Sequence, residues 1–257
     1  MVVRPSELSL SDRAPAAVPD RIVPCEHAPA RRSWTRQVRL CWLAADGGIC
    51  ERSQSVPALP MFEAAFSAFA RGALIATSEG PVAVEDLLPG DRLCVAGSRE
   101  TVQLLWVGTM TWLPRLPQGA TRTPLIRLPA GTLGAGRPVG DLVLGAGARL
   151  LRRDAGGTPL LVPAPDFAEQ MQAILITPPT ALPLYHLVTE QHAVLCASGL
   201  EAESHHPGPN LARRMSSEML ALYLSLFPHI RRPDGFGALC LPRSDAASGV
   251  STLSQAG

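Results

Sequence analysis

Residues 67–91 read SAFARGALIATSEGPVAVEDLLPGD, and they set the fold. ALIAT (73–77) and VAVEDL (82–87) are apolar runs of strand length, bounded by Ser, Gly and Pro. LPGD (88–91) then puts Pro and Gly at the centre of a reversal, where a type II turn needs them.

The same grammar continues outward. RLCVA, VQLLWVG, PLIRLP, DLVLG, RLLRR, PLLVPA, AILIT, LYHLVT and AVLCAS follow in turn, each bounded by turn-forming residues, with DAGGT (154–158) and SGL (198–200) marking two more reversals. Eleven short runs with no long helix between them predict an all-β body. Frequent Pro (25) and Gly (22) agree with a turn-rich chain. GTLGAG (131–136) lacks the Lys-Ser/Thr ending of a phosphate loop and no helix pattern follows it, so it reads as a loop between strands.

Either side of this body the pattern changes. Residues 1–60 mix Arg, Pro, Ser and Ala around one apolar cluster, VRLCWLAA (38–45), and read as a partly disordered arm with one strand-like piece. A β domain is expected over 61–207 and a helical extension over 208–243. In that extension RRMSSEMLALYLSLFPHI (213–230) spaces Met215, Met219, Leu222 and Leu226 by three or four, which predicts one amphipathic helix ended by Pro228. A flexible tail is expected from 244.

Composition excludes several classes. The formal net charge is +1, with no general pull towards nucleic acid. The 23 basic residues are all Arg, a bias of composition rather than a functional signal. Six scattered cysteines without a CxxC pair read as free thiols, not as a zinc or disulfide framework. No signal-like apolar run opens the chain and none is long enough to span a membrane, so a soluble protein is expected, cytoplasmic or exported without a cleavable signal.

Ala68-Phe69-Ala70-Arg71-Gly72-Ala73, then LIAT (74–77), GPVAVEDLLPGDRL (80–93), LLWVG (104–108), IRLPAGTLGAGRPVGDLVL (126–144), LLVPAPD (160–166) and YHLVTEQHAVLCASGLEAES (185–204) together resemble, in order and spacing, the Hint (hedgehog/intein) autoprocessing domains, closest to their bacterial branch. The resemblance implies a pseudo-twofold β disc and self-cleavage. In that chemistry a Cys, Ser or Thr side chain attacks the carbonyl just before it, and a mid-domain histidine protonates the leaving nitrogen. Here the nucleophile's position holds Ala68, and the stretch matching the family's V-S-P-D-H motif puts Ala148 at the histidine and Gly145 and Gly147 at the other polar positions. The closing strand keeps His192, a vestige of the site or an ordinary buried, hydrogen-bonded histidine. EAES (201–204) offers no asparagine to cyclise.

The expectation is therefore a Hint-like domain that has lost autocleavage and serves as a scaffold or binding module, with no cofactor or metal and no partner named by the sequence. A cleft around Ala68, Ala148 and His192 is the expected surface. Two alternatives stand beside it. Ser67 could act as a non-standard nucleophile, though its spacing to Gly72 is off by one. The chain could also be an unrelated β-sandwich adhesion module. His186 is expected to be exposed. His205 and His206, beside Glu201 and Glu203, point to opposite sides of an extended segment and are expected to hold no metal.

Overall fold

The computed structural model describes residues 34–116, 123–154, 156–168 and 173–244. All of these belong to the unit Ser33–Gly257. The chain opens with β1 (Thr35–Leu43) and β2 (Ile49–Pro57), then α1 (Pro60–Ala64), β3 (Phe69–Ala70), β4 (Leu74–Thr77), β5 (Gly80–Ala83) and β6 (Arg92–Cys94). It continues through β7 (Thr101–Trp112), β8 (Leu125–Leu128), β9 (Leu142–Leu144), β10 (Arg149–Arg153), β11 (Pro159–Pro163), α2 (Ala164–Ala168) and β12 (Ile174–Ile176). It closes with β13 (Leu182–Thr189), β14 (Val194–Ala197), β15 (Leu200–Glu203), α3 (Leu211–Arg214) and α4 (Ser217–Leu224).

The body is all-β; ten of the eleven runs read from the sequence hold a strand, and VAVEDL holds only the end of β5. Twelve strands join in the order β11-β10-β15-β14-β4-β6-β7-β13-β3-β9-β8-β12, with β1 added on β7, β2 on β1 and β5 on β4. The family-like motifs have visible local work. In LPGD the Asp91 amide donates to the Leu88 carbonyl at 3.1 Å, and Gly90 takes φ 111°, open to glycine at little cost. The Asp91 carboxylate then accepts from the Leu88 amide at 2.9 Å. Glu85, from VEDL, accepts from the Gly72 amide at 2.8 Å and ties the turn after β3 to the sheet.

Two features differ from the sequence reading. The arm's apolar cluster is the inner strand of a hairpin, because β1 pairs with β2 on one side and β7 on the other. Residues 1–33 of that arm, Cys25 among them, and the tail from 245 lie outside the described residues. The expected single helix over 213–230 is instead two short ones. Met215 is extended (φ −135°, ψ 153°), and the Ser216 hydroxyl accepts from the Met219 amide at 3.3 Å, an N-cap that starts α4 afresh. Helix α4 ends at Leu224, before Pro228 is reached.

One core cluster, including Phe69, Ile75, Leu93, Leu104, Ile126, Leu144, Leu187 and Leu195, fills the β body. A second brings Phe62 of α1, and Phe66 just after it, against Trp106, Tyr223 and Phe227. The Trp106 indole is fully buried and its N–H donates to the Leu226 carbonyl at 2.8 Å, which anchors the C-terminal segment on β7. Burying each of these large apolar side chains is worth roughly 1.5–3 kcal/mol. The second core therefore cements hairpin-side and C-terminal elements to the same sheet. The described cysteines, Cys41, Cys50, Cys94, Cys196 and Cys240, are free thiols. No helix among the described residues is long and apolar enough to cross a membrane.

Candidate functional site

Ala68, the position that the resemblance gives to the nucleophile, immediately precedes the short strand β3, and its amide and carbonyl are both hydrogen-bonded. The Ala68 amide donates to the Tyr185 carbonyl on β13 at 3.0 Å, and the Ala68 carbonyl accepts from Gly145 at 2.9 Å. The Ser67 carbonyl, which a nucleophile at 68 would attack, accepts from the Gly147 amide at 2.9 Å. Ala68 is 0% exposed, Ala148 1% and Ser67 5%.

The two methyl groups thus lie in closed packing, while Ser67 borders a separate cavity of about 190 Å3. The expectation of a cleft at Ala68, Ala148 and His192 is corrected here, because both alanines belong to the main core cluster and border no opening. The 145–148 loop packs closely against residues 64–67. A Cβ built on Gly145 would lie 2.3 Å from the Ser67 carbonyl oxygen, and one on Gly147 would lie 2.2 Å from the Ala64 oxygen. Only glycine lets the two backbones come this near.

His192 belongs to a different cluster. Its Nδ1 accepts from the Cys240 amide at 3.0 Å, and its Nε2 lies 3.0 Å from Glu203 Oε1, although the N–H does not point along that contact. Burial lowers the His192 pKa, Cys240 and Glu203 raise it, and the balance is upward, to about 9. Nδ1 accepts from the Cys240 amide, so the neutral ring carries its one proton on Nε2, beside Glu203; the second proton, which Glu203 favours, requires Nδ1 to give up that amide.

Glu203, which the sequence shows only as a neighbour of His205 and His206, is the centre of this cluster. It is 3% exposed, accepts from Arg243 Nε at 2.8 Å and has Arg149 Nε 3.8 Å from its other oxygen. Burial raises its pKa, but His192 and Arg243 outweigh that and hold the carboxyl below its usual range. Its pairing partner across β14–β15 is Val194, two residues after His192, and this register is the sequence signal that could have found it. Arg243 had no such signal, being forty residues further along.

His186 corrects another expectation. It is buried at 3% exposure, because both faces of β13 are covered: Tyr185 and His186 are neighbours and neither reaches solvent. Its Nδ1–H donates to the Ala64 carbonyl at 2.9 Å, and its ring meets that of His205 at 4.7 Å. Burial pushes its pKa down to about 4. Burial, and then His186 itself, holds His205 well below its ordinary value. His205 shares a 3.0 Å hydrogen bond with the Tyr223 hydroxyl, while His206 Nε2–H donates to the Gly237 carbonyl at 3.1 Å. Among the described residues no group of three or more His, Cys, Asp or Glu is placed to hold a metal.

These buried neutral rings predict an acid limb to stability. A group whose folded pKa lies below its unfolded value of 6.5 supports the fold above pH 6.5 and loses that support as pH falls towards 4. Between pH 7 and pH 5, His186 alone is expected to remove about 2 kcal/mol, and His205 acts in the same direction. Urea unfolding at the two pH values measures this. A midpoint that does not move would show that the rings gain protons without unfolding.

A family model described as the Hint domain matches residues 67–209, more than half of the chain. No curated protein matches it. Among solved structures, the solution structure of a bacterial intein-like domain from Clostridium thermocellum is similar to 54% of this chain and 99% of that one, at 15% identity and a TM-score of 0.33.

Proposed function

Because the chain belongs to the Hint-domain family, we propose that it is a Hint-domain protein that has lost autocleavage and keeps the fold as a scaffold or binding module. The observation that carries this reading is Ala68. A methyl group cannot attack the Ser67 carbonyl, so the acyl shift that begins self-cleavage has no first step. Ala148 removes the general acid as well, and the two groups work as one unit whose loss is not made good by either member alone. If together they supplied ~6 kcal/mol, cleavage would slow by about four orders of magnitude.

The surroundings of the 67–68 peptide support the same reading. Its amide and carbonyl are held by Tyr185 and Gly147, and its flanks are stitched into the molecule on both sides. The hairpin before it pairs with β7, and Phe62, Ala65 and Phe66 are buried in the second core cluster. A cut here would leave two pieces that still share one sheet, a poor way to release an N-terminal segment.

Intact-mass measurement on freshly purified protein tests the proposal. A single species of 27.2 kDa is expected, unchanged after incubation with dithiothreitol or hydroxylamine under denaturing readout. Two fragments that join at residue 67 or 68 would instead favour Ser67 or another group as an active nucleophile, and the non-cleaving reading would be lost.

A further inference from the structure

Strand pairing decides which of the free thiols can meet. Strand β5 takes one edge of β4 along its whole length, from Leu74 paired with Ala83 to Thr77 paired with Gly80. A strand has two edges, so the other one serves both β14, where Ile75 pairs with Ala197, and β6, where Thr77 pairs with Leu93. Leu93 and Ala197 therefore start side by side on β4. Leaving it, the two chains pair with each other. Val95 bridges Leu195 in antiparallel register, and the Ala96 amide donates to the Val194 carbonyl at 2.8 Å. Cys94 and Cys196 lie between these two contacts and stand opposite one another. Their outer neighbours are already set, Thr101 of β7 beside Cys94 and Glu201 of β15 beside Cys196.

The two side chains also share a face. Leu93, Leu195 and Ala197 belong to the main core cluster and Val95 packs against it. By strand alternation both cysteines turn the other way, and both are half-buried. Directly opposed residues of an antiparallel pair have Cα atoms about 4.5–5.5 Å apart, inside the range of about 4.4–6.8 Å that a disulfide spans. The Cys196 thiol feels this neighbour: burial first, then negative charge on Cys94 and on Glu201, holds its pKa above the ordinary value. Cys41 and Cys50, nearer in sequence, are not so placed. Cys41 pairs with Glu51 and Cys50 with Trp42, so their side chains leave opposite faces of the β1–β2 hairpin.

We propose that Cys94 and Cys196 are a dithiol–disulfide couple, oxidised by small-molecule disulfides, that staples β6 to β14. One cysteine thiolate attacks a sulfur of the small disulfide and expels a thiolate. The second attacks the protein sulfur of that mixed disulfide, closes the Cys94–Cys196 bond and expels the other small thiolate. The two protein thiols lose two protons and two electrons, and the small disulfide gains them and leaves as two thiols. The new bond ties distant parts of the unfolded chain together, and so it stabilises the fold. This couple goes beyond the binding-module reading and holds whether or not the 67–68 peptide is cleaved.

Oxidised glutathione added to the reduced full-length chain under native conditions tests it, followed by alkylation in denaturant, intact mass and peptide mapping. Two of the six cysteines are expected to escape alkylation, in one cross-linked peptide pair that holds Cys94 and Cys196. Dithiothreitol should return both to the alkylated set. Oxidation should raise Tm by about 5–10 °C. Cys94→Ser and Cys196→Ser should each abolish the cross-link and the rise, and Cys41→Ser should keep both. Should a serine variant fail to fold, mapping of the unaltered chain still decides. All six cysteines alkylated after oxidation, glutathione left on Cys94 or Cys196 without closure, or a bridge to another cysteine would each overturn the proposal. So would a cross-link that forms only in urea, or a Tm that does not rise.

Discussion

Glu203→Gln is expected to cost about 3–5 kcal/mol of stability and to lower Tm by about 10 °C. A buried ion cluster need not stabilise more than a well-packed apolar substitute, but removing one partner from it is another matter. It strands the remaining charge. Here the carboxylate is the anion between Arg243 and Arg149, and its side chain is 4% exposed. Arg243 also holds the C-terminal segment down: the Pro242 carbonyl accepts from Leu161, Ser244 donates to the Leu161 carbonyl, and Cys240 reaches His192. Loss of the carboxylate should therefore loosen residues 238–244 before the sheet melts. Urea unfolding gives the magnitude, and limited proteolysis shows whether cleavage near 240 comes first. Glu190→Gln, which breaks an exposed pair with Arg92 at 3.7 Å, is the control and should cost under about 1 kcal/mol. Adding Arg243→Gln to Glu203→Gln should recover part of the loss, since the stranded charge is then gone. A Glu203→Gln protein as stable as its parent would mean that the cluster is already well solvated.

How far the sequence reached depended on the range of the interaction involved. Strands such as ALIAT and RLLRR are specified by their own apolar residues and by the Gly, Pro and Asp beside them, so reading neighbours was enough. Strand β2, ICERSQSVP, carries mostly exposed polar residues and shows no apolar period. It is a strand because β1 is its partner, and that information lies outside the segment. In 213–230 the apolar period runs on without a gap, yet Ser216 offers its hydroxyl to the Met219 amide and local capping overrides the period. Strict alternation along β13 would put His186 on a wet face opposite Tyr185, yet both are buried. The α1 segment and the C-terminal residues cover the second face, and nothing in LYHLVT announces them. The Hint-like order of motifs was legible because each piece is local. The Glu203–Arg243 pair was not, because it joins residues forty positions apart.

This packing decides whether self-cleaving chemistry can be built into the domain. Ala68→Cys exchanges a buried methyl for a slightly larger thiol and should change stability by no more than about 1 kcal/mol. It should not restore cleavage, even in the presence of dithiothreitol. Ala148→His asks for much more, since Ala148 is 1% exposed and lies in the main core cluster. Gly147→Asp, which would return a polar group to the family's motif, should be worst, costing about 3 kcal/mol or more. Its Cβ would stand 2.2 Å from the Ala64 carbonyl oxygen, a backbone atom that cannot rotate aside. Gly145→Ser meets the Ser67 oxygen at 2.3 Å in the same way. The loop lies against residues 64–67, so side chains placed at 145 and 147 meet backbone atoms with no room left for them. Urea unfolding ranks the four variants, and intact mass after a day's incubation reports cleavage. Fragments from the Ala68→Cys, Ala148→His double variant, in a protein that keeps its stability, would show that the loop opens readily and that only two side chains separate this domain from activity.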